Sequence, residues 1–473
     1  MDKLYLDIIS NILIYFDIRT LLNYNKINKS FYYTVNVMYS KVNTIDFDRN
    51  SYIKINKILN KTINLKKISI TRCVLINDSF FNKCSKYLKN VTDLTIINSY
   101  YLNDICINII SNNLSNLEKI NFSRCKNISD NGLSMIATNC KRIYDINITY
   151  CSEITNASLI LLCSSLDIKY IDISHCILID NYSLIYIPLL KINNLITFKC
   201  DCCYKISDIG INYIVYNNPN LQNLSISYCS TISNTGFFNN KLSNLQQLDI
   251  SNLQNISLTP LLNLINLTHL NISSCHNIAE YSVISLLQQN KWLKEFICKY
   301  CKCITFNIIQ TLIKYNHKLE KLDCSYCYNI TYVNIDNILI HLKNIKYISF
   351  HCCENINFHV LYYNEIIKNS LEYLDLGYCY NLYSYYLINL INKCNKLETL
   401  LLSNCRCINL MVIYSIIKCK YIKKIKLMKN YSINFNLLDL LLNKSNSLEY
   451  LYISRYNKNY SVLKNLYPTV KIY

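Results

Sequence analysis

The sequence predicts an α/β solenoid: a curved parallel sheet on the concave side, helices outside, and a small α-helical unit in front. Three observations predict it. A nine-residue apolar frame recurs along nearly all of the 473 residues, typified by Leu117-x-x-Ile120-x-Phe122-x-x-Cys125 and then Ile143-x-x-Ile146-x-Ile148-x-x-Cys151. Most copies are 26 residues apart, which marks one supersecondary unit repeated in register. Hydrophobic residues make up 51% of the chain, with only 4 Gly and 4 Pro, so the core is continuous and no flexible linker divides it.

The last positions of the frames run from Asn50 and Cys73 through Cys125, Cys229, Leu253 and Cys405 to Asn430 and Tyr456. A period of this length with an L-x-x-L-x-L-x-x-N/C frame is the leucine-rich-repeat signature, in about 17 copies over residues 41–473. Positions 1, 4 and 6 are apolar and point inward. Positions 3, 5 and 7 alternate with them on the other face of a short strand. A turn such as Ser129-Asp130-Asn131-Gly132 follows, then a helical run such as Leu133-x-x-Ile136-Ala137. Helices are wider than strands, so the stack is expected to curve. The rungs near Leu253 are short, which predicts a local irregularity. Tyr467 to Tyr473 reads as a last strand closing the open core.

Composition narrows the function. The apolar runs are short and broken by Asn and Lys, so no transmembrane helix is expected. The N-terminal stretch is interrupted by Asp2, Asp7, Asp17 and Arg19 and lacks a small-residue cleavage site, so no signal peptide is expected. The 25 cysteines fall at the repeat spacing and are expected to stay reduced in the cytoplasm, that of a host were the source a virus. The net charge of +19 reflects heavy use of Lys, Asn, Ile and Tyr, as in AT-rich genomes. Its densest run is Lys420 to Lys429, KYIKKIKLMK, with no block of five basic residues, so nucleic acid is not expected among the partners.

Two cysteine pairs, Cys298/Cys301 and Cys324/Cys327, have the spacing of a zinc ribbon. Cys298 and Cys324 occupy apolar position 6, however, and Cys301 and Cys327 are repeat cysteines. No metal and no cofactor is expected. The seven histidines are scattered, neither His351 nor His175 has an evident Cys or Asp partner outside the repeat frame, and four glycines leave no phosphate loop. We read the chain as non-enzymatic.

Residues 1–40 are not a repeat. The apolar spacing of Leu4, Ile8, Ile9, Ile12, Leu13 and Phe16 is helical, and a second apolar stretch covers Leu21 to Phe31. The segment LYLDIISNILIYFDIRTLLNYNKINKSF resembles an F-box. Leu4, Asp7, Ile12, Leu13, Phe16, Leu21, Ile27, Lys29 and Phe31 fall on the F-box pattern. Tyr5 stands where proline is usual, and Phe31 stands where tryptophan is common. With cysteine-type leucine-rich repeats directly behind it, the chain resembles the F-box/leucine-rich-repeat family. That resemblance implies docking through Leu4, Tyr5, Ile12, Leu13, Phe16, Leu21, Ile27, Lys29 and Phe31 on the Skp-type adaptor of a cullin–RING ubiquitin ligase. The repeats would hold an unidentified protein substrate. The alternative is an interaction scaffold without a ligase role.

The variable strand positions are the candidate contact surface. Tyr347 and Tyr373 at position 3, Asp375 at position 5, His351 at position 7, and Tyr326 and Tyr378 at position 8 come together over neighbouring rungs. Aromatic clusters flanked by charge are typical of protein-binding hot spots.

Overall fold

The computed structural model describes residues 42–48, 58–60, 62–73, 76–189, 194–238, 240–333, 335–358, 370–454 and 460–473. The F-box-like segment, from Leu4 to Phe31, lies outside the described residues, as do the frame ends Asn50 and Tyr456. Two compact units are present. One ends at Cys229 and includes residues 240 and 241; the other comprises Ser230–Phe238 and Leu242–Tyr473. Both are built from the leucine-rich-repeat rung, a short parallel strand followed by a helix or turn.

The first unit holds β1 (Thr44–Asp48), β2 (Lys67–Thr71), β3 (Asp93–Ile97), β4 (Lys119–Asn121), β5 (Asp145–Asn147), β6 (Tyr170–Asp172), β7 (Thr197–Lys199) and β8 (Asn223–Ser225). Each pairs in parallel with the next, and position 4 stays in register from Ile120 through Ile146, Ile171 and Phe198 to Leu224. The second unit holds β9 (Gln247–Asp249), β10 (His269–Asn271), β11 (Glu295–Ile297) and β12 (Lys321–Asp323). It continues with β13 (Tyr332–Val333), β14 (Tyr347–Ser349), β15 (Asn357–Phe358), β16 (Tyr373–Asp375), β17 (Thr399–Leu401), β18 (Lys424–Lys426), β19 (Tyr450–Tyr452) and β20 (Lys471–Ile472). Strands β13 and β15 form a separate parallel pair; the others follow one another in a parallel ladder. β20 is the terminal strand that Tyr467 to Tyr473 predicts, paired with β19.

The frame positions behave as one column each. Leu117, Ile120, Phe122 and Cys125 are all buried, as are Ile128, Leu133, Ile136 and Ala137 behind them. The helix of this rung, Asp130–Asn139, begins earlier than the sequence suggests, because Ser129 caps it by accepting a hydrogen bond from Asn131 N–H. Asp130 and Asn131 are therefore helical and not a turn. The first residue of one helix also anchors the start of the next. Asp104 accepts from Ser129 N–H at 2.9 Å, and Asp130 accepts from Thr155 N–H at 2.9 Å. This close approach explains Gly132: a Cβ there would lie 2.5 Å from Asp104 Oδ1. Around Leu253 the α-helices give way to short 3₁₀ turns, Asn234–Phe237 and Thr259–Leu261. The shorter rungs have too few residues for a full helix. Among the described residues no helix is long and apolar enough to cross a membrane.

Each strand ends in a corner with two fixed features. Position 8 has a left-handed backbone in rung after rung, with φ from 53° at Arg72 to 63° at Arg124, and none of these residues is glycine. Its N–H donates to the position 7 carbonyl of the next rung, as Tyr300 does to Ser325 at 2.9 Å. Position 9 then turns into the core. Its thiol donates to the position 6 carbonyl of the preceding rung, at 3.2 Å from Cys151 Sγ to Phe122 O and 3.0 Å from Cys327 Sγ to Cys298 O. Of the described corners without cysteine, Asn430 Nδ2 makes the same bond to Leu402 O at 2.7 Å, Ser99 Oγ donates instead to Cys73 O at 3.4 Å, and Leu253 has no side-chain donor.

Burial pushes the corner thiols of Cys125 up to about 11 and of Cys176 and Cys275 up to about 12. A free thiol titrates near roughly 8.5. Folding therefore keeps its full stability below that pH and loses it as pH rises toward the folded values. Thermal midpoints should fall steadily from pH 8 to pH 11. A midpoint flat over that window would mean the thiols are not buried donors. Thiol titration with a disulfide reagent should find few reactive groups in the native chain and all 25 after unfolding.

Candidate partner-binding face of the strand ladder

The side chains that leave the strands opposite the core are positioned by strand register. Position 3 of β14 lies beside position 3 of β16, so Tyr347 and Tyr373 are neighbours. Strands run about 4.8 Å apart, close to the thickness of stacked rings. Tyr347 and Tyr373 accordingly stack, with centroids 4.1 Å apart and planes 8° from parallel. Both are half-buried.

A second row runs along the strand ends, with Tyr300, Tyr326 and Tyr378 at left-handed corners and His351 just before one. Tyr300 stacks on Tyr326 at 4.2 Å, His351 lies 5.5 Å from Tyr326, and Tyr378 lies 5.3 Å from His351 in an edge contact. Lys429 sits over the Tyr378 ring at 5.5 Å and Lys321 over Tyr347 at 5.5 Å. The first unit carries a shorter row of the same kind, with Arg124 over Tyr150 and Tyr150 stacked on His175 at 3.7 Å.

Two aspartates support these rows. Asp323 is buried at 2% side-chain exposure and pairs with Lys299 Nζ at 3.1 Å. It also accepts from Ser325 Oγ at 2.6 Å and Tyr347 Oη at 3.3 Å. Asp375 accepts from Gly377 N–H at 2.9 Å and lies 3.1 Å from His351 Nδ1. Position 5 thus serves chiefly to hold the position 7 N–H, as Asn121 does for Ser123 and Asp249 for Ser251. Burial, with the Asp323 charge and Tyr373, pushes the Tyr347 hydroxyl well above its usual range. Burial with the Asp375 charge raises Tyr373 to about 12. Both phenols are therefore neutral at physiological pH, and Tyr347 donates to Asp323.

The structure thus gathers Tyr326, His351 and Tyr378 in one row and Tyr347 and Tyr373 in another. Asp375 is largely buried beneath them, held by Gly377 and His351. Gly377 escapes a reading of the aromatic positions alone. A Cβ there would lie 2.8 Å from His351 Nδ1, so this glycine makes room for the His351–Asp375 contact. Its signal was available: it is one of only four glycines and stands at a strand-face position.

The paired cysteines are placed in the core. Cys298 Sγ and Cys324 Sγ are 3.5 Å apart, while Cys301 and Cys327 donate to Ile272 O and Cys298 O. Among the described residues no group of three or more His, Cys, Asp or Glu is arranged to hold a metal ion.

No family model matches the chain, and no curated relative matches it. Solved structures do. One is the Rad7 and Elc1 complex of yeast, at 15% identity and TM-score 0.49 over 84% of this chain and 88% of that one. Another is an internalin, InlF, from Listeria monocytogenes, at 16% identity and TM-score 0.44 over 72% of this chain and 89% of that one. A leucine-rich-repeat protein of Leptospira interrogans matches at 16% identity and TM-score 0.34, over 93% of this chain and 91% of that one.

Two substitutions probe the face. Tyr347→Phe keeps the ring stack and removes the bond to Asp323, so it should lower stability by about 1 kcal/mol in denaturant unfolding. Gly377→Ala should displace His351 and cost more than Tyr347→Phe. An unchanged midpoint for Gly377→Ala would show that the contact has slack.

Proposed function

We propose that this chain is a substrate-recognition adaptor in the cytoplasm, linking a target protein to a cullin–RING ubiquitin ligase through its F-box-like N-terminus. The observation that carries this reading is the order of parts: an F-box-like pattern directly followed by cysteine-type repeats. The half-buried tyrosine rows supply a protein-binding surface of suitable chemistry. In this reading the chain performs no bond-making step. It holds the Skp-type adaptor through Leu4, Tyr5, Ile12, Leu13, Phe16, Leu21, Ile27, Lys29 and Phe31. It holds the substrate through Tyr326, Tyr347, His351, Tyr373, Asp375 and Tyr378. Catalysis then comes from proximity, because substrate and charged ubiquitin carrier are held in one assembly at raised effective concentration.

The second reading is an interaction scaffold that binds protein on the same face without a ligase. Its support is that the leucine-rich-repeat fold and the tyrosine rows need no F-box. The two readings part at the adaptor. Under the first, a Skp-type adaptor co-purifies with the full chain and is lost when Leu13→Asp and Phe16→Asp are combined. Tyr347→Ala with Tyr373→Ala should retain the adaptor and lose most of the captured substrate, as quantified in paired pull-downs. A full chain that never retains the adaptor leaves the scaffold reading in place.

A further inference from the structure

In the last rungs the chemistry of the strand face changes from acid-supported tyrosine to lysine. Lys424 and Lys426 occupy positions 3 and 5 of β18, and Lys429 occupies the exposed corner after it. Register places Lys424 beside Tyr450 and Lys426 beside Tyr452, and then Tyr450 beside Lys471 of β20. The lysine heads lie over aromatic rings, Lys424 5.2 Å from the Tyr452 centroid and Lys471 5.1 Å from that of Tyr450. Tyr473 stacks on Tyr452 at 4.9 Å with planes 13° apart. The acid of the adjoining rung is taken by another residue, since Glu398 pairs with Lys423 at 3.0 Å. Among the described residues none of Lys424, Lys426, Lys429 and Lys471 has a carboxylate at ion-pair distance.

We propose that Lys424, Lys426, Lys429 and Lys471 form a docking strip for an acidic, extended segment of a protein partner. The inference rests on reading the strand face as the partner-binding surface, and it gives that partner a chemistry. Four cations without acids leave an electrostatic field that a row of carboxylates complements. Lys424 and Lys471 are two strand spacings apart, about 10 Å, within the reach of a short extended peptide. Single-stranded nucleic acid fits less well, because binding it depends on open aromatic faces for base stacking. Tyr452 has Lys424 on the β18 side and Tyr473 on the β20 side, so neither face is open.

The test is fluorescence anisotropy of a labelled octaglutamate peptide with the full chain at low ionic strength. The peptide should bind and be released as salt rises. Affinity should fall about tenfold in Lys424→Glu/Lys426→Glu, with a smaller loss in Lys424→Gln/Lys426→Gln as the variant least able to disturb folding. Lys314→Glu/Lys318→Glu, placed away from the strip with the same charge change, should bind as the natural chain does. Tyr347→Ala/Tyr373→Ala should also keep peptide affinity, which separates this strip from substrate capture at the tyrosine rows. Unchanged binding by the Lys424/Lys426 variants would overturn the inference. So would an equal loss in the Lys314/Lys318 variant, or tighter binding of a labelled oligothymidine than of octaglutamate.

Discussion

One carbonyl in most rungs ties neighbouring rungs together. The position 6 oxygen, such as that of Phe122, accepts from its own rung's Cys125 N–H at 3.1 Å and from the next rung's Cys151 Sγ at 3.2 Å. Both lone pairs of a buried acceptor are thereby used at the point where the strand ends and the chain turns inward. A small side chain with a donor serves this site best, so cysteine dominates the column and asparagine replaces it at 430, while Leu253 fills the position without a donor. The thiol is a weak donor, but it removes the larger penalty of a bare buried carbonyl.

The same corner explains why the surface is organised in rows. The left-handed conformation costs roughly 1–2 kcal/mol at a residue other than glycine. It is retained because position 8 N–H can then reach the next rung's carbonyl, and because its side chain is thrown outward in register with its neighbours. Stacking of Tyr300 on Tyr326, and of Tyr150 on His175, is a direct product of repeating that geometry at strand spacing. A glycine column would make the turn at less strain and carry no surface chemistry. The fixed positions thus build the ladder, and the same backbone presents the variable ones.

Much of this was legible in the residues. The alternation in Leu117 to Cys125 determines which side chains are buried, and the 26-residue spacing determines which ones meet, so the Tyr347–Tyr373 pair follows from arithmetic. The corner conformation was not legible. Most of position 8 is Arg, Tyr, Ser, Cys and Lys, which do not announce a positive φ, and the residues that favour one stand at only four corners, Asn98, His175, Asn252 and Asn404; the reason lies in hydrogen bonds between rungs. The role of Asp375 was likewise hidden. Its position marks it as a surface charge, whereas its carboxylate is spent on Gly377 N–H and His351. The helix start at Asp130 was missed for a related reason: Ser129 caps a helix whose first residue also binds the neighbouring rung.

The central claim is that partners are held by the strand face and not by the helices behind it. The most direct measurement places a photoreactive phenylalanine analogue at Tyr373, and separately at Tyr281, which is 62% exposed on the helix Glu280–Gln289. Each chain is irradiated with the partner recovered from pull-downs. The account expects a cross-link from position 373, lost when Tyr347 is changed to alanine, and none from 281. A cross-link from 281 without one from 373 would contradict it.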